Sequence, residues 1–178
     1  MPFRSRRRPE PLDEAALYQY AVGALGRQMR TVAELKRLMS RRVEQGEVGE
    51  SKMAAVVARL ADQHYLDDRA FASTYTRLRQ ENQSFGKRRV QQELTRKGVQ
   101  SELVASTLEA AYAQVNEEDL VRRYVARKRI KKPQDEKETA RLVRRLVSAG
   151  FSFSVISILL KSWDLDLALP EDGSAEDS

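Results

Sequence analysis

Two stretches decide the fold: Val90-Gln91-Gln92-Glu93-Leu94-Thr95-Arg96-Lys97-Gly98-Val99 and, 52 residues on, Leu142-Val143-Arg144-Arg145-Leu146-Val147-Ser148-Ala149-Gly150-Phe151. Each carries apolar residues four apart and then a glycine followed by an apolar residue. That is the pattern of an amphipathic helix closed by a left-handed turn. In register, Val90 falls on Leu142, Leu94 on Leu146, Val99 on Phe151, Val104 on Ile156, Leu108 on Leu160 and Ala111 on Trp163. Apolar meets apolar at every position, which marks an internal repeat of about fifty residues.

Upstream of these stretches, Leu17, Phe71 and Leu120 each open a helical pattern with an aromatic residue soon after, namely Tyr20, Tyr75 and Tyr124. The first copy is longer, with Gly46 to Gly49 read as an expanded turn. Thr31 with Glu34 makes a capping box, Asp67 and Ser101 are read as N-caps, and Gly98 and Gly150 end helices. No alternating strand pattern is present. The sequence therefore predicts an all-α protein of about nine short helices, an elongated tandem array of three three-helix, helix-turn-helix-like repeats. Their bounds are 12–66, 67–115 and 116–167, between a basic flexible arm (1–11) and an acidic disordered tail (168–178). Units of this size bury modest cores and are expected to share apolar contacts with their neighbours. A closed single-core bundle has the same periodicity and stays open as the competing architecture.

The 178 residues include no cysteine, which excludes a disulfide scaffold, a thiolate zinc site and a cysteine nucleophile. The one histidine, His64, excludes a multi-histidine metal site, and it is read as a packing or surface residue. No Walker loop, G-x-G-x-x-G or H-E-x-x-H occurs. The Asp67–Asp68 pair reads as a cap and a complement to the helix dipole rather than as ligands, because adjacent helical residues point about 100° apart. No catalytic residue, cofactor or metal is expected. No apolar run spans a membrane, and the N-terminal Met1-Pro2-Phe3-Arg4-Ser5-Arg6-Arg7-Arg8 lacks a signal peptide's apolar stretch. The expectation is a soluble, cytoplasmic, monomeric protein with no membrane partner.

Charge carries the functional signal. The formal net charge is +6, but six acidic residues and no basic one lie from Asp164 onward, so residues 1–163 hold 32 cations against 20 acids. A body of +12 is the footprint of a protein that meets a polyanion. Lys87, Arg88 and Arg89 open one helix, a position that attracts phosphate or carboxylate. Arg96 and Lys97 close it, where dipole compensation and binding are equally good explanations. Arg122, Arg123, Arg127, Lys128, Arg129, Lys131 and Lys132 place seven cations within eleven residues. Arg123 with Arg127, and Lys128 with Lys132, are four apart and repel along a helix unless an anionic partner relieves them. Arg141, Arg144 and Arg145 extend the same surface. Phe71, Tyr75, Tyr124, Phe151 and Trp163 occupy core-like positions, so phosphate contact is expected rather than base stacking. An autonomous DNA-binding regulator and an adaptor for an acidic protein stay open as alternatives. The acidic tail fits two roles, shielding the basic body or solubilising the chain.

Three stretches resemble the RecX family of RecA regulators: Thr31-Val32-Ala33-Glu34-Leu35-Lys36-Arg37-Leu38, Tyr65-Leu66-Asp67-Asp68-Arg69-Ala70-Phe71-Ala72, and Gly86-Lys87-Arg88-Arg89-Val90-Gln91-Gln92-Glu93-Leu94-Thr95-Arg96-Lys97-Gly98-Val99. Ala149-Gly150-Phe151-Ser152 followed by Ile156 echoes the family's third-repeat ending. The resemblance covers most of the chain. It marks Tyr65, Leu66, Asp67, Asp68, Phe71, Gly86, Gly98 and Gly150 as structural motif residues. His64 stands where the family commonly has glycine, so the helix before it is expected to end without a left-handed cap. The resemblance implies a non-enzymatic regulator that binds RecA protein and its nucleoprotein filament on single-stranded DNA, with sequence-independent duplex contact also expected. It implies lodging in the filament groove and inhibition of ATPase, strand-exchange and co-protease activity.

Overall fold

The structure, a computed structural model, describes residues 10–165. The acidic tail expected over 168–178, and all but two residues of the arm expected over 1–11, lie outside them. Among the described residues the chain forms nine α-helices and no strand: α1 (Glu14–Arg27), α2 (Val32–Met39), α3 (Glu47–Asp62), α4 (Asp68–Gln83), α5 (Lys87–Arg96), α6 (Ser101–Tyr112), α7 (Glu117–Arg127), α8 (Glu136–Ser148) and α9 (Phe153–Lys161). The fold is an all-α helical repeat. No helix among them is long and apolar enough to cross a membrane.

The 52-residue register holds in burial. Val90, Leu94, Val99, Val104 and Leu108 are buried, and so are Leu142, Leu146, Phe151, Ile156 and Leu160, while Ala111 and Trp163 are both half-buried. The helix ends repeat as well. Gly98 (φ +81) closes α5 with its N–H on Thr95 and the Val99 N–H on Leu94, and Gly150 (φ +94) closes α8 with the matching bonds to Val147 and Leu146. Both are the paired 5→2 and 6→1 bonds of the Schellman turn.

Three local expectations need correction. His64 adopts φ +59, and α3 ends on the same bond pair, His64 N–H to Ala61 and Tyr65 N–H to Leu60, each 2.9 Å. The left-handed cap is therefore present without glycine, and, two residues on, the chain enters the core at the buried Leu66. Replacing His64 by glycine is expected to raise stability by about 1 kcal/mol by relieving the left-handed Cβ clash, read as a higher Tm. Ser101 is the first residue of α6 and not its cap; Gln100 holds that position without a side-chain bond. Gly49 lies inside α3, and the expanded turn ends at Gly46. The Thr31 capping box forms as read, with Thr31 Oγ1 accepting from the Glu34 N–H and the Glu34 side chain accepting from the Thr31 N–H.

By packing, the chain divides into two compact units, residues 10–78 with 91–113 and residues 79–90 with 114–165, the divisions falling inside α4 and α5. In the first unit, Leu17, Ala21 and Ala24 of α1 meet Leu35 and Met39 of α2, Val56 and Leu60 of α3, and Leu66. Thr31, wholly buried, donates to the Lys97 carbonyl at 2.6 Å and so satisfies an orphan carbonyl at the end of α5. In the second unit, Leu120, Val121, Tyr124 and Val125 of α7 are buried with Leu142 and Leu146 of α8 and Val155, Ile156, Leu159 and Leu160 of α9. Tyr124 meets Phe151 edge-on, ring centres 5.6 Å apart, and meets Phe85 at 6.3 Å.

Candidate polyanion-binding surface

Over the full sequence each unit holds 16 Lys and Arg against 13 Asp and Glu, but their described residues differ. Among the described residues the first holds 12 Lys and Arg against 13 Asp and Glu, and the second holds 16 against 8. Of the +12 carried by residues 1–163, the second unit holds +9 (16 cations against 7 acids) and the first, with Arg4, Arg6, Arg7 and Arg8, holds +3 (16 against 13). Lys87, Arg88 and Arg89 share that unit with Arg122 to Lys132 and with Arg141, Arg144 and Arg145, whereas Arg96 and Lys97 belong to the first.

Backbone packing holds the start of α5 in place. Gly86 donates to the Ala149 carbonyl at 2.9 Å, and a Cβ on Gly86 would stand 2.9 Å from the Phe151 nitrogen and nearer still to the Gly150 carbonyl. Arg89 is half-buried over the Phe85 ring, while Lys87 and Arg88 are exposed. At the end of α7, Arg127 donates from its two terminal nitrogens to the carbonyls of Glu81 and Asn82, both at 2.9 Å. It closes the last turn of α4, a structural task. Lys128 reaches Gln83 Oε1 at 3.4 Å.

Helix α7 ends at Arg127, and Arg129 turns the chain with φ +50, so Lys128 and Lys132 do not share a helix. The repulsion expected of that pair is absent for this geometric reason. Lys131, Arg141 and Arg145 instead converge on a groove of about 210 Å³ whose apolar lining is Ile130, Pro133 and Leu142. Its one acid, Glu138, accepts from the Gln134 N–H at 3.0 Å. Lys87, Arg88, Arg122, Arg123, Arg129, Lys131, Lys132, Arg141, Arg144 and Arg145 are exposed, and their side chains make no hydrogen bond or ion pair among the described residues. Such a set presents positive charge suited to a polyanion.

In the first unit, Lys97 is engaged. Its Nζ lies 2.7 Å from Glu34 Oε1 and over the stacked rings of Phe71 and Tyr75 at 5.5 and 5.3 Å. Asp67 caps α4 as read, accepting from the Arg69 and Ala70 amides. Asp68 does more than complement its own helix, because its Oδ1 accepts from the Val32 N–H at the start of α2, 2.9 Å away. Leu66 and Phe71 are buried, but Tyr65 is 60% exposed. No group of three or more His, Asp or Glu among the described residues is arranged to hold a metal ion.

Burial lifts the Asp68 carboxyl above its ordinary 3.8, opposed by the Val32 hydrogen bond and helped by the charges of Asp67 and Glu34. A raised folded-state pKa favours folding below 3.8, and that advantage is lost as pH rises through the folded value. Asp68→Asn keeps the acceptor and removes the buried charge. Its Tm is expected to exceed that of the parent at pH 7, with the difference closing under acid conditions. Asp68→Ala orphans the Val32 N–H and is expected to lose about 1 kcal/mol.

The model of the second three-helix domain of RecX matches residues 67–108. The regulatory protein RecX of Myxococcus xanthus is 31% identical over 173 residues, covering 89% of this chain and 91% of that one. This chain belongs to the RecX family. The RecX of Oceanobacillus iheyensis is 28% identical over 149 residues, which are 83% of this chain and 53% of that protein, so the chain spans about half the length of that relative. The crystal structure of RecX from Lactobacillus salivarius superposes with a TM-score of 0.62 at 19% identity, over 85% of this chain and 96% of that one. A second RecX crystal structure gives 0.63 at 22% identity, over 80% and 68%. The two structures bear on the fold alone. Relatives of the chain are named as regulatory proteins.

Sequence reading passed over Arg30, Arg37 and Arg41. The signal was available, since seven- and four-residue steps place all three on one helical face. They lie outside the dense cationic runs of the sequence, and the approach of α5 in the fold brings Arg96 and Lys97 to them.

Proposed function

We propose that the chain is a non-enzymatic negative regulator of the RecA recombinase, which binds the RecA filament on single-stranded DNA through the basic surface of its second unit. The observation that carries this is the set of ten exposed second-unit cations whose side chains make no hydrogen bond or ion pair among the described residues. Family membership supplies the partner class, and the surface supplies a means of holding a polyanionic assembly. Three three-helix repeats, over 12–66, 67–115 and 116–167, are the organisation we assign to the chain. The repeated helix ends at Gly98 and Gly150 and the match of the second-domain model to 67–108 support it.

Lodged in the filament groove, such a chain blocks strand exchange and co-protease access and slows ATP turnover. Co-sedimentation with RecA filaments on single-stranded DNA tests the reading. Pelleting with the filament well beyond that with naked DNA is expected. Retention by one duplex sequence over random competitor, with no preference for the filament, would replace this reading with an autonomous DNA-binding regulator.

A further inference from the structure

Within the first unit, α2 and its flanking turns carry Arg30, Arg37 and Arg41 on one face, and α5 brings Arg96 and Lys97 opposite them across an open cleft of about 480 Å³. The acids in its lining are Glu34 and Glu93, and both are engaged. Glu34 Oε1 accepts from Lys97 Nζ at 2.7 Å, and the buried Glu93 accepts from the Tyr75 hydroxyl through Oε2 at 2.7 Å. Arg37 donates to the carbonyls of Ala33 and Lys97, and Arg30 donates to that of Ala24. Arg41 and Arg96 are exposed and make no hydrogen bond or ion pair among the described residues.

Five cations thus face two carboxylates, while the unit's other described residues hold 7 cations against 11 acids. The cleft is a local concentration and not a sample of a uniformly basic surface. Two unpaired guanidinium groups, from the ends of separate helices, offer planar forks suited to oxyanions. Tyr75, half-buried, also lines the cleft.

We infer that this cleft is a phosphate site whose occupant is the backbone of a single nucleic-acid strand, with Arg41 and Arg96 taking neighbouring phosphodiesters. An open cleft lets a strand pass through, and its charge is displayed at two separate points rather than focused on one. The inference rests on the nucleic-acid half of the proposed function and not on its recombinase half.

The test is fluorescence anisotropy of a labelled oligo(dT) with the full chain, without RecA, across a salt series. For Arg41→Gln/Arg96→Gln, binding is expected to weaken about 10-fold at low salt. The slope of log K against log salt should become shallower by about 1.4, near 0.7 for each lost phosphate contact. Arg41→Lys/Arg96→Lys is expected to recover part of the affinity, since the charge remains and the fork is lost. A parental slope in the glutamine variant, with affinity lost only when second-unit cations are removed, overturns the cleft and leaves the second-unit surface standing. Failure of the parent chain to bind oligo(dT) at all overturns the cleft as a strand site, while filament binding by the second unit is decided by co-sedimentation. Competition by polyglutamate or by free dTMP equal to that by unlabelled oligo(dT) overturns the strand as occupant.

Discussion

Replacing Gly150 by alanine is expected to cost about 3 kcal/mol and to disrupt the second unit. The residue sits at φ +94, a region that costs an L-residue about 1–2 kcal/mol. A Cβ there would lie 2.6 Å from the Arg89 Cβ and 2.7 Å from the Gly86 carbonyl oxygen, and closer still to the Arg89 amide nitrogen. Most of these atoms are backbone, so no flexible side chain can swing aside, and overpacking adds about 1–3 kcal/mol. Gly86→Ala should behave alike, because its Cβ would strike the Gly150 peptide from the other side. Gly26 is the control. It lies in α1 with nothing within 4 Å of its Cβ position, so alanine there is expected to be neutral or stabilising by up to about 1 kcal/mol. Thermal unfolding followed by circular dichroism reads all three. Equal stability of the Gly150 and Gly26 variants would contradict the back-to-back packing of the two glycines.

The second large effect concerns binding. Neutralising Lys131, Arg141 and Arg145 together, as Lys131→Gln/Arg141→Gln/Arg145→Gln, is expected to weaken attachment to the RecA filament about 100-fold, taking about 1 kcal/mol for each charged contact. These three line one groove and are exposed, so their removal should leave the fold intact. The salt dependence should flatten with the affinity, by about 2 in the logarithmic slope if each cation meets one phosphate of a single strand. A weakened variant whose slope is unchanged would mean that the groove meets something other than phosphate. Arg127→Gln should differ in kind. Its guanidinium closes α4, so stability is expected to fall by about 1–2 kcal/mol while the salt slope is retained.

Much of this was legible in the sequence, and the reason is local. A capping box needs only Thr31 and Glu34, and a helix end at Gly98 or Gly150 needs only a glycine before an apolar residue, so short-range chemistry announces both. The 52-residue register was legible because the same faces must be buried in each copy. Where a non-local partner decides, the sequence was silent. His64 takes the left-handed position although nothing in a histidine advertises it. Arg127 looks like one more member of a cationic run until the carbonyls of Glu81 and Asn82 arrive beside it. The charge partition was hidden for the same reason. It depends on the packing divisions inside α4 and α5, which assign Lys87 to Arg89 to one unit and Arg96 with Lys97 to the other.

The central claim is that the second unit's cations carry the regulation. The most direct measurement is ATP hydrolysis by RecA on single-stranded DNA as the chain is added substoichiometrically to preformed filaments, with filament mass followed by light scattering. The parent chain should be compared with the Lys131/Arg141/Arg145 glutamine variant and with Arg27→Gln/Lys36→Gln/Arg69→Gln, which removes three exposed first-unit cations whose side chains make no hydrogen bond or ion pair among the described residues. Inhibition by the parent and by the first-unit variant at low ratio, lost in the second-unit variant, is the result predicted. Equal inhibition by all three proteins, or none by the parent at large excess, would contradict the account.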